Sequence, residues 1–408
     1  LHLAFGRRFW FRFFGKRQRC MAVSSLAREV SDLCIGKPAV RSLPLSATLG
    51  DALIALRKGG EDHLAVWAAD RTRSDRKACV GTVCMVDIVC YLCSEENILA
   101  PGAALAAPVS VILPPKAAAP LVRRVEPSSS ILEALDAILE GAQSLVVPLR
   151  PAASRRKPAA GGGAVLEFCW LTQEDLVRFF LNSIALFSPA PALSVTDLGL
   201  VHPAALAVRP HDPALSALPL IRAALVDQTS VAVVSDDGRL LGEISPSTLA
   251  HCDQRVGAAL AALSAGDLMA YVDCFGAPPE SAIGTIKARL QEKGLLSMLE
   301  LLEADFSPPF LSSASSSSSS SDEESSPAAA LQRPRRLRSA GRSGSYSARM
   351  GRRSEEAIVC HPESSLVAVM IQALTHRVSY VWVVDDDYFL VGIVAFSDIL
   401  GVFREELD

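Results

Sequence analysis

Half of the 408 residues are apolar and 21% are charged, which excludes a wholly disordered chain and is ample for more than one core. The formal charge is −4; the first twenty residues hold six bases and no acid, leaving 34 bases against 44 acids beyond them, a balance that argues against a nucleic-acid partner. No apolar run reaches about 18 residues, so no membrane-crossing helix is expected; ten irregularly spaced cysteines without a secretory leader are expected to be free thiols.

Residues 1–20 mix Phe and Trp with Arg and are expected to be a non-core extension, with Met21 as the start; an Arg-rich organelle-targeting stretch is the alternative. A first repeat then opens with VSDLCIGKP at Val30. It continues with an apolar helical stripe (Leu49, Ala52, Leu53, Leu56), a β-branched run from His63, and closes with GTVCMVDIVCYL from Gly81. The second opens with VSVILPP at Val109, has its stripe at Leu132, Leu135, Ile138 and Leu139 and its strand from Ser144, and closes with CWLTQEDLVRFFL from Cys169. Residues 150–164, rich in Pro, Gly and cations, read as a solvent loop inside it. The third runs from VTDLGLVHP at Val195 through Leu215, Leu218, Ile221 and Leu225, where Pro219 is expected to kink or shorten the helix, to GEISPSTLAHC from Gly242. The fourth opens with AGDLMAYVD at Ala265 and ends with a stripe from Leu366, a strand from Tyr380 and GIVAFSDILGVF from Gly392.

The opening and closing marks lie 55, 64, 51 and 131 residues apart, so the fourth repeat carries an insertion. Its first part, 281–304, reads as one or two amphipathic helices broken near Gly294. Its second, 312–354, holds the serine run Ser315 to Ser321, three acids and an acid-free stretch with eight arginines, and is expected to be disordered. There, Ser321 precedes acids while Ser339, Ser343 and Ser354 follow arginines, a pattern suited to regulatory phosphorylation; RPRRLR from Arg333 suits a nuclear address.

Strand, helix, strand, strand, helix, closing on G-h-h-T/S-x-x-D, resembles the cystathionine-β-synthase (CBS) repeat, and the chain from Met21 is similar to plant four-repeat proteins of the CBSX class. The resemblance implies a mixed α/β (α+β) fold of four β-α-β-β-α repeats, at 21–94, 105–184, 193–251 and 265–405, paired into two Bateman modules. One repeat cannot bury its exposed sheet face alone. It also implies an adenosine-type ligand such as AMP, ATP or S-adenosylmethionine in clefts between paired repeats. In such clefts the closing Asp accepts from the ribose hydroxyls and the preceding Thr or Ser donates.

Carried over residue by residue, Thr172 and Asp175 match in full, Asp87 and Asp398 keep the carboxylate beside Cys84 and Ala395, and Ser245 is followed by Thr248 in place of Asp. Helix capping is the competing role for each Asp. Places where nucleotide-binding relatives carry a His-Arg pair read Glu61 to His63, Gln143 to Ser144, Gln228 to Ser230 and Ser379 to Tyr380; Arg123, Arg124, His376 and Arg377 are expected at the surface. Cys79, Cys84, Cys90 and Cys93 lack a glycine knuckle and read as buried thiols rather than a zinc site.

No catalytic fingerprint occurs. The expectation is therefore a non-enzymatic regulatory protein without a resident cofactor, in the cytoplasm or nucleus. Its partner would be a protein such as a kinase or a thioredoxin-type enzyme, with homodimerisation open. The alternatives are a γ-like subunit of an SNF1-type kinase and an interaction scaffold with decayed clefts.

Overall fold

The computed structural model describes residues 21–59, 62–69, 77–114, 121–149, 167–187, 189–274, 279–303 and 357–407. Residues 1–20, the loop at 150–164 and the tract at 312–354 lie outside them, and with that tract the four candidate phosphorylation serines. No helix among the described residues is long and apolar enough to cross a membrane.

Among the described residues four three-stranded sheets form, each with its first strand parallel and its third antiparallel to the middle one. They are β1 Ser42–Pro44, β2 His63–Ala69 and β3 Lys77–Cys84; β4 Val122–Arg124, β5 Ser144–Leu149 and β6 Glu167–Thr172; β7 Ala207–Val208, β8 Val231–Val234 and β9 Leu240–Ile244; and β10 Val359–Cys360, β11 Tyr380–Val384 and β12 Leu390–Ala395. The middle strands β5 and β11 are almost continuously buried, which is why they read as apolar runs rather than alternating ones.

A helix links the first two strands of each sheet: α1 Leu49–Gly59, α3 Ile131–Leu139, α5 Leu218–Asp227 and α11 Leu366–His376. Serine begins two of them. Ser130 Oγ accepts from Glu133 N at 3.1 Å and Ser365 Oγ from Ala368 N at 3.4 Å, satisfying amides that the first turn leaves open. Pro219 does not kink α5. It sits in the first turn, where its missing N–H is harmless, and so starts the helix. A second helix closes each repeat: α2 Met85–Leu92, α4 Gln173–Asn182, α6 Pro246–Ala250 and α12 Phe396–Glu405.

Between the third and fourth sheets lie α7 Arg255–Ala262, α8 Ala265–Asp273, α9 Glu280–Glu292 and α10 Leu296–Glu303. Gly294, at φ 69°, ends α9 as its left-handed stop. Nothing in the period of the sequence marked α7. It is buried on almost every residue, so it lacks a polar face to give it periodicity.

The opening motifs hold the repeats in pairs. Val30 N donates to Ser129 O and Ile131 N to Arg28 O, while Leu49 N donates to Ala107 O and Val109 N to Ala47 O, all between 2.8 and 3.0 Å. Repeats three and four exchange the same bonds through Val195 with Ser364, Leu366 with Leu193, Ala214 with Leu263 and Ala265 with Asp212. The first residue of every opening motif, Val30, Val109, Val195 or Ala265, is fully buried at the N-terminus of its partner's first helix. Helices join the pairs: Phe180 of α4 stacks on Phe403 of α12 at 4.4 Å, and Arg222 of α5 donates to the Cys90 carbonyl of α2 at 3.3 Å.

Candidate functional site

Where the four repeats converge, a cavity of about 1360 Å³ is lined by residues of every repeat. That exceeds the roughly 300–1,000 Å³ typical of small-molecule pockets. The first repeat supplies His63, at the start of β2, and Asp87; the second Gln143 and Thr172; the third Gln228 and Ser245; the fourth Arg377 and Ser379. Ile112, Leu113, Trp170, Val378 and Phe396 add apolar wall. The residues before each middle strand meet here because the parallel β-α-β crossover returns each chain to the same end of its sheet. Arg377 and Gln228 occupy the left-handed region at the ends of α11 and α5, which turns the chain sharply back into its strand. Arg377 is exposed, as expected, and also lines the cavity, while Arg123 and Arg124 pair with Glu140 and Glu126.

The closing carboxylates all cap their helices but differ in what else they meet. Asp87 Oδ2 accepts from Cys84 N, Asp175 Oδ2 from Thr172 N and Asp398 Oδ2 from Ala395 N, each at 2.8 Å. Asp175 also takes the Thr172 hydroxyl at 2.9 Å and Lys37 Nζ at 2.6 Å. Asp398 Oδ1 lies 3.3 Å from His202 Nε2. Of the three carboxylates, Asp87 lines the cavity. Burial pushes its carboxyl upward, with the Cys84 bonds, His63 and Arg222 acting in the opposite direction. Burial likewise pushes Asp398 up, offset in part by the Ala395 amide and His202.

Ser245 caps α6 through Ser247 N at 3.2 Å and takes part in a buried polar row: Tyr380 Oη donates to Glu243 at 2.8 Å and lies 3.2 Å from Ser245 Oγ, while Trp382 Nε1 donates to Glu243 at 2.6 Å. Burial, then the neighbouring Glu243 charge, pushes the Tyr380 phenol well above its ordinary range, so it stays a donor.

Sequence patterns alone did not assign Lys37 and His202. They stand at the same place in VSDLCIGKP and VTDLGLVHP, each before a proline. Each segment runs beside the closing strand of the paired repeat: Val40 N donates to Phe168 O at 2.7 Å, and His202 and Ile393 exchange both backbone bonds at 2.9 and 3.0 Å. The signal was present in the comparison of opening motifs; what it lacked was the partner.

A curated protein of Arabidopsis thaliana, CBS domain-containing protein CBSX5, is 43% identical over 95% of this chain and 99% of its own length. The chain belongs to the CBSX class of CBS domain-containing proteins. The CBS domain family profile matches residues 353–405, the fourth repeat after its insertion. Two further Arabidopsis thaliana proteins are related more distantly: CBS domain-containing protein CBSX6 is 26% identical over 95% of this chain and 95% of its own length, and SNF1-related protein kinase regulatory subunit gamma-like PV42b is 24% identical over 93% of this chain and 95% of its own. An archaeal protein of Methanocaldococcus jannaschii, described as a homologue of γ-AMPK, has the same fold at a TM-score of 0.52 and 14% identity, across 92% of this chain and 100% of that one.

In this CBSX protein the site residues divide. Thr172, Ser245 and Asp87 face the cavity, whereas Asp175 and Asp398 meet Lys37 and His202. Cys79 and Cys84 stand on β3, Cys90 in α2 and Cys93 at its end, all as free thiols. Among the described residues no cluster of three or more His, Cys, Asp or Glu is arranged to hold a metal.

Proposed function

We propose that this CBSX protein is a non-catalytic regulator that takes one adenosine-type ligand in the central cavity, with Asp87 receiving the ribose hydroxyls. The observation that carries this reading is that Asp87, of the three closing carboxylates, lines the cavity while Asp175 and Asp398 are engaged by Lys37 and His202. Thr172, Ser245, Ser379, Gln143 and Gln228 line the cavity with polar side chains whose donors are already engaged, Thr172 by Asp175, Ser379 by the Gln228 carbonyl and the two amides by the Leu225, Val226 and Gln143 carbonyls. A ligand would meet them chiefly as acceptors, and the apolar wall suits an adenine face.

Charge chooses among ligands. Arg377 is the guanidinium among the cavity's lining residues and Asp87 is a lining carboxylate, while Glu174 is paired with Arg178 and Asp62 lies beside His251. An incoming phosphate would therefore exchange its hydration for one lining cation opposed by Asp87. A neutral nucleoside, or the sulfonium of S-adenosylmethionine, meets no such opposition. Ligand-dependent contacts across four repeats would then shift the affinity for a partner protein. A protein kinase of the SNF1 type is the partner class we favour, on the relationship to the gamma-like subunit.

Calorimetry with adenosine, S-adenosylmethionine, AMP and ATP tests this. Expected is one site per chain for adenosine or S-adenosylmethionine, at least tenfold weaker binding of AMP and ATP, and loss of binding in Asp87→Ala. Stoichiometry above one, or binding abolished by Asp175→Ala and not by Asp87→Ala, would move the site elsewhere. No heat with any of the four would favour a second reading, an interaction scaffold, which the Lys37 and His202 pairs also support.

A further inference from the structure

The opening segment of one repeat lies across the closing strand of its pair, and the first residue of the closing motif decides how closely. In three repeats that residue is glycine. A Cβ on Gly81 would lie 2.9 Å from Leu113 Cδ2; on Gly242, 2.4 Å from Met269 Sδ; on Gly392, 2.8 Å from Val201 Cγ1 and 2.3 Å from the His202 carbonyl oxygen. Leu113 and Met269 are the fifth residues of their opening motifs. In the second repeat the same strand position is Cys169, and the fifth residue of the motif that crosses it is Cys34. The segment is fastened on both sides of this crossing, by Val30 N to Ser129 O at 2.8 Å before it and by Lys37 to Asp175 and Val40 N to Phe168 O after it. Both thiols are free and buried in one apolar cluster, with Cys34 at 7% exposure and Cys169 at 0%.

We propose that Cys34 and Cys169 are a redox modification site, whose oxidation by a peroxide joins the opening segment of repeat one to the closing strand of repeat two. The neighbouring Cys34 thiol, helped by the Lys37 charge, pushes Cys169 downward against burial and Asp175, while Cys169 and burial push Cys34 upward. Burial acts the other way on Cys90, Cys252 and Cys360, each pushed up to about 12 and left unreactive. In the reaction two S–H bonds and the peroxide O–O bond break, one S–S bond forms, both sulfurs are oxidised, and the peroxide leaves as two waters carrying the thiol protons. Lys37, three residues beyond Cys34, is thereby held on Asp175.

The test uses the full-length folded chain treated with equimolar hydrogen peroxide, alkylated, digested without reductant and analysed by mass spectrometry. Expected is a cross-linked pair of peptides containing Cys34 and Cys169, lighter by two hydrogens than their sum, with a rise in Tm of several degrees that dithiothreitol reverses. Cys169→Gly restores the residue that the other three repeats use and should lose both the cross-link and the Tm rise. Cys34→Ala, a second variant that removes no glycine-like space, should behave the same way, and Cys90→Ser should retain both. Recovery of Cys34 and Cys169 as alkylated thiols after peroxide, or cross-linking of either to another cysteine, overturns the proposal.

Discussion

Asp87 serves two demands that pull against each other. Its carboxylate closes the first turn of α2, where the open amides and the helix dipole favour a negative charge, yet it does so in a half-buried position beside the apolar side chains of the cavity. Burial wins, since its carboxyl is displaced upward. A folded pKa above the unfolded one means that the native chain binds a proton more readily than the unfolded chain. The cost of the charge is therefore fully present near neutral pH and fades as pH falls through the raised value toward the ordinary range near about 4. Asparagine at this position keeps an oxygen for the Cys84 amide and removes the charge. Asp87→Asn should melt at or above the wild-type temperature at about pH 7, with the advantage shrinking by about pH 4, measured by calorimetry in parallel buffers. A lower Tm at neutral pH would show that the dipole and His63 outweigh burial. Asp175 differs, because its carboxylate is matched by Lys37 with both side chains mostly covered. Asp175→Ala removes a cap and a cation's partner together and should cost at least about 1–2 kcal/mol in urea unfolding.

The glycines of the closing strands are set by the element that crosses them, and the nature of the crossing atom grades the cost of replacing them. At Gly392 a methyl group would meet the His202 carbonyl, a backbone atom fixed by two bonds to Ile393, so the whole segment would have to move. At Gly81 it would meet the end of Leu113, a side chain that can change rotamer. Gly392→Ala is thus expected to cost about 3 kcal/mol or more and Gly81→Ala about 1 kcal/mol, by urea unfolding at matched m-values. Equal costs would mean that the Gly81 site is as unyielding as backbone. This same crossing marks where the sequence stopped being legible. The βαββα order and the break at Gly294 follow from periodicity and local chemistry, and the CBS resemblance of the closing motif singled out Thr172, Asp87 and Ser245, which line the cavity. The pairing of Lys37 with Asp175, or His202 with Asp398, depends on which repeats lie side by side, and no spacing within one repeat encodes that. Arg377, read as a surface residue, is exposed and also at the cavity, because the left-handed turn that ends α11 sets it just before β11.

Two pairs of repeats, each closed by its own exchange of backbone bonds, meet through helices, so the molecule has cohesion at two levels. Within a pair, the four bonds given above, two at the start of each first helix, satisfy eight amides and carbonyls across the two repeats. Separating paired repeats would leave these groups and the apolar opening residues without their cover. Between pairs the hydrogen bonds are made by side chains, several of them to carbonyls of the other pair, as from Arg222 to Cys90 and from Gln143 to Leu225, and rings stack. On one flank Phe180 and Phe403 stack with planes 8° apart, Phe187 stands edge-on to both at 5.3 and 5.1 Å, and Arg404 reaches Asp136 at 2.7 Å. Such rings fill space that smaller side chains cannot collapse into, so truncation at Phe403 should cost about 3–5 kcal/mol. Its cost falls on the join between pairs rather than on either pair's internal bonds. Differential scanning calorimetry of Phe403→Ala is therefore expected to split one unfolding transition into two, with the pair containing repeats three and four melting first because it also loses part of its own α12 core. A single transition displaced to lower temperature would show instead that neither pair holds together without the other, and that a ligand in the shared cavity acts on the stability of all four repeats at once.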